Sequence, residues 1–218
     1  MSSKHNGPQS VYEDLSLLRS SPPVERADAA RNRSAILAAA SRLFAAHGVD
    51  AVSMDAIAAA AGVGKGTPFR RFGDKAGLAV ALLDEREREL QGRILSGEAP
   101  LGPGTDAAPP GPGTDTAARL RAFSEAYLDY ALGHLDLLRM SETSSPGARY
   151  RIGSYRFWHR HTAILLGELG WVDPDAGAHA LLAPLAAEHL GAVASELGTE
   201  RLRRAAADHL DRLLGSGT

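Results

Sequence analysis

Between Ser96 and Asp115 half of the twenty residues are glycine or proline, five of each, and no helix survives that composition. The stretch 96–115 reads as a flexible loop inserted between two helices. On both sides of it apolar residues return at helical spacing and strand signals are lacking, so the expected fold is all-α, with some eight or nine helices. Ahead of the loop, Ile36, Leu37, Ala40, Leu43 and Phe44 mark a helix over Ala29 to His47, which Gly48 stops. Ser53 opens a short segment that ends at Gly62, and Val63 to Phe72 forms another. Asp74 is placed to cap a long helix from Lys75 to about Leu95, whose DEREREL run alternates in charge like a solvated face. After the loop, helices are expected over Thr116–Leu138, Ala148–Leu169, Asp175–Leu197 and Thr199–Leu214. Pro184 falls inside the third and should kink it. Residues 1–30 hold Pro8, Pro22 and Pro23 with a single apolar cluster, Val11 to Leu18, and read as a flexible tail.

A hydrophobic content of 44% with 23% charged residues is enough to build a core, which excludes a disordered chain. The longest apolar stretch, around Ala176 to Leu197, is interrupted by His179, Pro184, Glu188, His189 and Glu196, so no membrane span is expected. The first residues lack the apolar run of a secretory signal, and the absence of cysteine excludes disulfides and thiolate metal sites. A cytoplasmic location agrees with both. The net charge of −2 conceals an uneven distribution. From Arg31 to Lys75 seven basic residues face three acidic ones, a net +4, whereas Ala76 to Thr218 carries 14 basic and 19 acidic, a net −5. Phosphate is attracted to the first segment and repelled by the second.

Within that basic segment the residues between Ser53 and Phe72 fit a helix-turn-helix. Ala58 is the small residue at a helix crossing, Gly62 a turn residue tolerant of positive φ, and Ile57, Val63 and Phe72 close a miniature core behind the second helix. The run GVGKGTPFRRFGDKAGL, Gly62 to Leu78, resembles the signature of the TetR family of regulators, G-V-S/G-K-G-T-L-Y/F-x-x-F-x-x-K-x-x-L. The resemblance extends from about Arg33 to Leu83. It implies a three-helix DNA-binding domain (31–75), a fourth helix linking it to an all-helical ligand-binding and dimerisation body (76–218), and a homodimer that binds a palindromic operator in double-stranded DNA.

Carried over position by position, the resemblance places Lys65, Thr67, Phe69 and Arg71 on the groove-facing side of the reading helix. Ser53 and Lys75 fall where the family contacts phosphate, and Arg70 is a further candidate. Phe69 stands where Tyr is commoner, so one phosphate hydrogen bond is absent. Pro68 stands where the family has a leucine. If the reading helix starts at Gly64, Pro68 costs it a hydrogen bond; if it starts at Thr67, that residue is the N-cap and Pro68 a favoured first residue.

In the body, His134, Met140, Tyr155, Trp158 and His161 combine apolar bulk with a polar tip and are the candidate lining of a small-molecule pocket. Leu181, Leu182, Leu185, His189, Val193, Leu197 and Leu210 are the candidate dimer interface on the last two helices. His159 and His161 are two apart and diverge on a helix, so no metal pair is expected there, and no cofactor. Neither a nucleophile-base spacing nor a phosphate loop is present, so an enzyme is not expected. The expected function is a repressor released by a small molecule, with an activator or architectural DNA-binding protein as the alternative.

Overall fold

The computed structural model describes Leu15, residues 27–104 and residues 114–215. Eleven α-helices and one 3₁₀ turn account for its regular structure, with no strand among the described residues: α1 (Ala27–His47), α2 (Met54–Ala60), α3 (Gly66–Phe72), α4 (Lys75–Ser96), α5 (Thr114–Gly133), α6 (Leu135–Glu142), α7 (Ala148–Arg151), α8 (Gly153–Glu168), α9 (Pro174–Leu182), the 3₁₀ turn Ala183–Leu185, α10 (Ala187–Leu197) and α11 (Thr199–Gly215). None is long and apolar enough to cross a membrane.

The count exceeds the expected eight or nine because three expected helices are each divided. Gly133 and a non-helical His134 separate α5 from α6. Ile152, extended at ψ 134°, separates α7 from α8. Pro184 does more than kink its helix: α9 stops at Leu182, and α10 begins only after the extended residue Ala186. The break frees carbonyls and an N–H inside the protein, and an ion pair satisfies them. Arg149 of α7 donates to the carbonyls of Leu182 (2.9 Å) and Leu185 (3.3 Å) and to Glu142 Oε1 (2.6 Å), while the other oxygen of Glu142 accepts from Ala187 N at 2.8 Å. Both side chains are buried. A buried pair is retained only when its remaining hydrogen-bonding capacity is filled, as it is here.

The apolar residues form two cores. Ile36, Ala39, Ala40 and Phe44 of α1, with Val49, Val52, Met54, Ile57 and Leu78, make the first. The second, larger core joins α4 to α6 and α8 to α11 and includes Phe123, Tyr127, Phe157, Trp158, Leu165, Leu166 and Leu190. Helix α4 belongs to both, with Leu78 in the first and Leu83, Leu90 and Ile94 in the second. The expected division between residues 75 and 76 thus falls at the start of a helix that the two cores share. Leu137 and Met140 of α6 also pack on the first core.

Both stretches expected to be flexible contribute a side chain to the larger core. Leu15 is buried in the larger core, because the one apolar cluster of the expected tail contributes a side chain to it. The start of the Gly/Pro stretch folds back on the end of α4, with Gly97 N bonded to Arg93 O, Gly102 N to Glu98 O and Gly104 N to Gly97 O, and Leu101 is buried. The rest of tail 1–30 up to residue 26, and 105–113 of loop 96–115, lie outside the described residues.

Candidate functional site

Ser53 caps α2, its hydroxyl oxygen accepting from Ala56 N at 3.1 Å. The α2–α3 turn is closed by two hydrogen bonds, Gly62 N to Ala59 O (3.2 Å) and Val63 N to Ala58 O (3.1 Å), with Gly62 left-handed at φ 67°. That is a Schellman motif, and only a residue without Cβ penalty takes its C′ position at no strain. It turns the chain so that Val63 and Phe72 pack against the first core and the opposite side of α3 faces solvent.

Helix α3 starts at Gly66, between the two starts weighed from sequence, with Lys65 preceding it and no side-chain cap. Thr67 therefore does not cap, and Pro68 is the third helical residue. The first N–H groups of a helix have no intrahelical acceptor, so Pro68 removes no hydrogen bond, and its ring is buried beneath the helix as the family's leucine is implied to be. Gly73, at φ 79°, ends α3 and Asp74 caps α4 by accepting from Gly77 N at 2.8 Å. A Cβ on Gly77 would lie 2.0 Å from the Phe72 carbonyl oxygen, so this glycine sets the close approach between the end of α3 and the first turn of α4.

The residues expected at DNA fall into two groups. Ser53, Lys65, Phe69 and Arg70 are exposed, and Thr67 and Arg71 are half-buried beside them. Phe69 leaves 48% of its surface in solvent, high for an aromatic side chain. Lys65 lies 3.4 Å from Asp55, an exposed pair of small energetic weight. Arg70, the further candidate, is among the exposed ones. Lys75 departs from expectation. Its ammonium donates to the carbonyls of Val49 (2.9 Å), Asp50 (3.2 Å) and Val52 (3.0 Å), which uses all three of its hydrogens. It ties the α1–α2 loop to α4 instead of facing phosphate, because the loop carbonyls end where the α4 N-terminus begins.

The candidate pocket residues do not converge on one cavity. Met140 packs on the first core, and His134 is half-buried with Nδ1 2.8 Å from Tyr130 O. Tyr155 and Trp158 border a void of only about 10 Å³ together with Glu87 and Arg149. The Tyr155 hydroxyl is bonded to His179 Nδ1 at 2.7 Å, and the Arg149 guanidinium lies over its ring. His161 is fully buried against Phe123, its Nε2 without a hydrogen-bond partner among the described residues, and desolvation lowers its pKa to about 3. A larger recess lies elsewhere. Six of the seven residues assigned to a dimer interface, Leu181, Leu182, Leu185, His189, Val193 and Leu210, line a cavity of about 230 Å³ within a single chain. Leu182, Leu185 and Leu210 are buried there. Leu197 lies outside this recess, half-buried at the end of α10.

Sequence reasoning missed Glu87. Within the run taken as solvated it is 3% exposed, accepting from the Tyr130 hydroxyl at 2.8 Å, and burial raises its pKa to about 7 against the smaller opposing effect of its hydrogen bonds to Tyr130 and Ser154. One turn later Gln91 is wholly buried, with neither amide atom hydrogen-bonded among the described residues. The signal was present, since Glu87 lies four residues after Leu83 and four before Gln91, on the stripe that runs to Ile94.

A capped short helix, a left-handed glycine turn and a second helix with a basic exposed side, carried on a third helix at their back, define a helix-turn-helix DNA-binding domain. Residues 36–82 match the family model of bacterial regulatory proteins, tetR family; the chain carries that family's DNA-binding domain together with the fold of TetR-family transcriptional regulators. A TetR-family transcriptional regulator from Pectobacterium atrosepticum is 23% identical, the match covering 88% of this chain and 96% of that one, with a TM-score of 0.61. A TetR-family regulator from Mesorhizobium loti MAFF303099 is 22% identical over 88% and 98%, with a TM-score of 0.57. NalD, the secondary repressor of the MexAB-OprM multidrug efflux pump in Pseudomonas aeruginosa, is 21% identical over 87% and 97%, with a TM-score of 0.51. At such identities the likeness is one of fold. No curated protein matches the chain.

Proposed function

We propose that the protein is a homodimeric repressor that reads a palindromic operator through α3 and leaves it when a small molecule binds the body. The exposed side of α3 carries this reading. Phe69 and Arg70 are exposed on a helix held from behind by Pro68, Val63 and Phe72, Lys65 is exposed at its start, and Ser53 keeps its hydroxyl hydrogen for a phosphate while its oxygen caps α2. A reading helix of seven residues spans too few base pairs to be specific alone, which argues for two copies on two half-sites. Release fits a body that contains a recess and shares α4 with the DNA-binding core. Repression is the sign known for NalD, which has the same fold.

The test is fluorescence anisotropy on DNA fragments selected from a random pool, over a range of salt concentrations. Affinity should fall steeply with salt, and Lys65→Ala and Arg70→Ala should each lower the slope of log affinity against log salt by about one. A chain that selects no sequence, or whose slope ignores both substitutions, would overturn the assignment of α3 as the reading helix.

A further inference from the structure

Only three of the 24 Lys and Arg residues are lysines, Lys4, Lys65 and Lys75, and Lys4 lies outside the described residues. A lysine amine can give up a proton and then offers a lone pair to an electrophile, whereas a guanidinium keeps its charge in any protein. The two described amines stand in opposite situations. Lys75 spends all three N–H bonds on the carbonyls of Val49, Asp50 and Val52, which leaves no side of its nitrogen open. Lys65, at the start of α3, has 83% of its side chain in solvent and pairs with Asp55 at 3.4 Å. Both of its neighbours are glycines, and the chain's own packing needs neither. Their backbones are not left-handed, a Cβ on Gly66 would meet nothing within 4 Å, and one on Gly64 would meet only the Thr67 hydroxyl at 3.6 Å. Lys65 thus projects from a stretch with no flanking side chain to obstruct an approaching reagent.

We propose that Lys65 is a regulatory acylation site, which takes an acyl group from an activated donor, a thioester or an acyl phosphate, and that its acylation silences α3. The proposal rests on α3 as the reading helix. The ammonium first gives a proton to water. The neutral amine then attacks the donor's carbonyl carbon, a C–N bond forms, and the C–S or C–O bond breaks with its electron pair on the departing thiolate or phosphate. The second amine proton passes, through Asp55 or water, to the leaving group or to solvent. An amide and a free thiol or phosphate result, with nothing oxidised or reduced. The amide is uncharged, so the surface that meets phosphate loses one cation. The Asp55 carboxylate, no longer paired, then stands beside the incoming backbone with its like charge. DNA bound to α3 covers the amine, so the modification acts on free protein and holds it off the operator.

The full chain, free of added tags, is incubated at mildly alkaline pH with acetyl-coenzyme A or with acetyl phosphate. Modified lysines are located by peptide mass spectrometry, and affinity for a DNA fragment selected from a random pool is followed by anisotropy. Lys65 should react at least about tenfold faster than Lys75, whose nitrogen is enclosed, and saturating DNA should protect it. Affinity should fall with occupancy at Lys65, by roughly tenfold at completion, and the salt slope should drop by about one. Lys65→Gln should reproduce the acetylated state. Lys65→Arg, compared with its own untreated affinity, should lose nothing further on treatment. A response to one donor alone names it as the source; a response to both makes the shared acyl chemistry the determinant. Reaction with neither donor, equal rates at Lys65 and Lys75, or native affinity in the acetylated chain would overturn the site. So would a treated Lys65→Arg chain that loses binding as the native chain does, which would assign the effect to Lys4 or the terminal amine. The reading-helix assignment is judged apart. A Lys65→Ala chain with an unchanged salt slope defeats the DNA contact at Lys65, whereas a lowered slope with an unreactive Lys65 defeats acylation alone.

Discussion

Lys75 has three N–H bonds, and all of them end on carbonyl oxygens of the loop that leads into α2. Position alone suggested a phosphate contact, and only the path of the α1–α2 loop reveals that its acceptors lie inside the protein. The two roles separate experimentally. Lys75→Met keeps the apolar stem and removes the donors, so the DNA-binding core should lose about 2 kcal/mol, read as a lower Tm, from hydrogen bonds made by a charged group. Affinity for DNA should fall with the salt slope unchanged, whereas loss of a phosphate contact would lower that slope by about one. Gly77 acts at the same scale. Gly77→Ala sets a methyl against the Phe72 carbonyl oxygen, and relieving that overlap must shift α3 on α4, at a cost of about 1 to 3 kcal/mol and most of the DNA affinity. Wild-type affinity in Gly77→Ala would refute the idea that this contact aims α3.

At the scale of elements, the break at Pro184 shows how one residue's lost helix continuity becomes another's hydrogen-bonding role. Arg149→Ala would strand the Glu142 carboxylate and two carbonyls in the interior. Chemical denaturation should then show a loss of about 3 to 5 kcal/mol, far beyond the effect of truncating an exposed arginine such as Arg86. The helices themselves were largely legible in the sequence, because apolar spacing and caps at Ser53, Gly62 and Asp74 are local signals that the structure uses as written. The reading helix was legible except for its first residue, since Pro68 is compatible with more than one start and only packing against the core decides. The body was harder. Which leucines of α9 and α10 face a partner and which face the interior depends on how non-neighbouring helices meet, and spacing within one helix carries no record of that. Glu87 was hidden by its neighbours, because charge alternation in DEREREL obscured the leucine stripe on which it lies.

For the whole molecule, two buried titratable groups act in opposite directions. Glu87 has its pKa raised from 4.5 to about 7 by burial, so the folded state holds its proton more tightly; its contribution is full below pH 4.5 and is lost as pH rises toward 7. His161 has its pKa lowered from 6.5 to about 3, so its contribution is full above pH 6.5 and is lost as pH falls toward 3. Between pH 4.5 and 6.5 the two slopes cancel, and these groups alone give a plateau of stability flanked by losses on either side. Glu87→Gln removes one of them. Stability should then rise across that interval by about 1.4 kcal/mol per pH unit, measured by urea unfolding, and the fall approaching pH 7 should vanish. An unchanged profile in the variant would mean that Glu87 has the same pKa in the folded and unfolded chain.

Glu87 also stands twelve residues along α4 from Lys75, a lever of about 18 Å at 1.5 Å per residue, which reaches from the body's core to the loop and turn that carry α3. With Lys75 clamping that loop to the helix end, the three-helix unit is bolted to the lever's tip and follows its direction. A pivot of about 10° at Glu87 carries the tip through about 3 Å, close to the 3.4 Å rise between successive bases on a DNA strand. A movement too small to alter any contact within the reading helix is thus large enough to put it out of step with the bases.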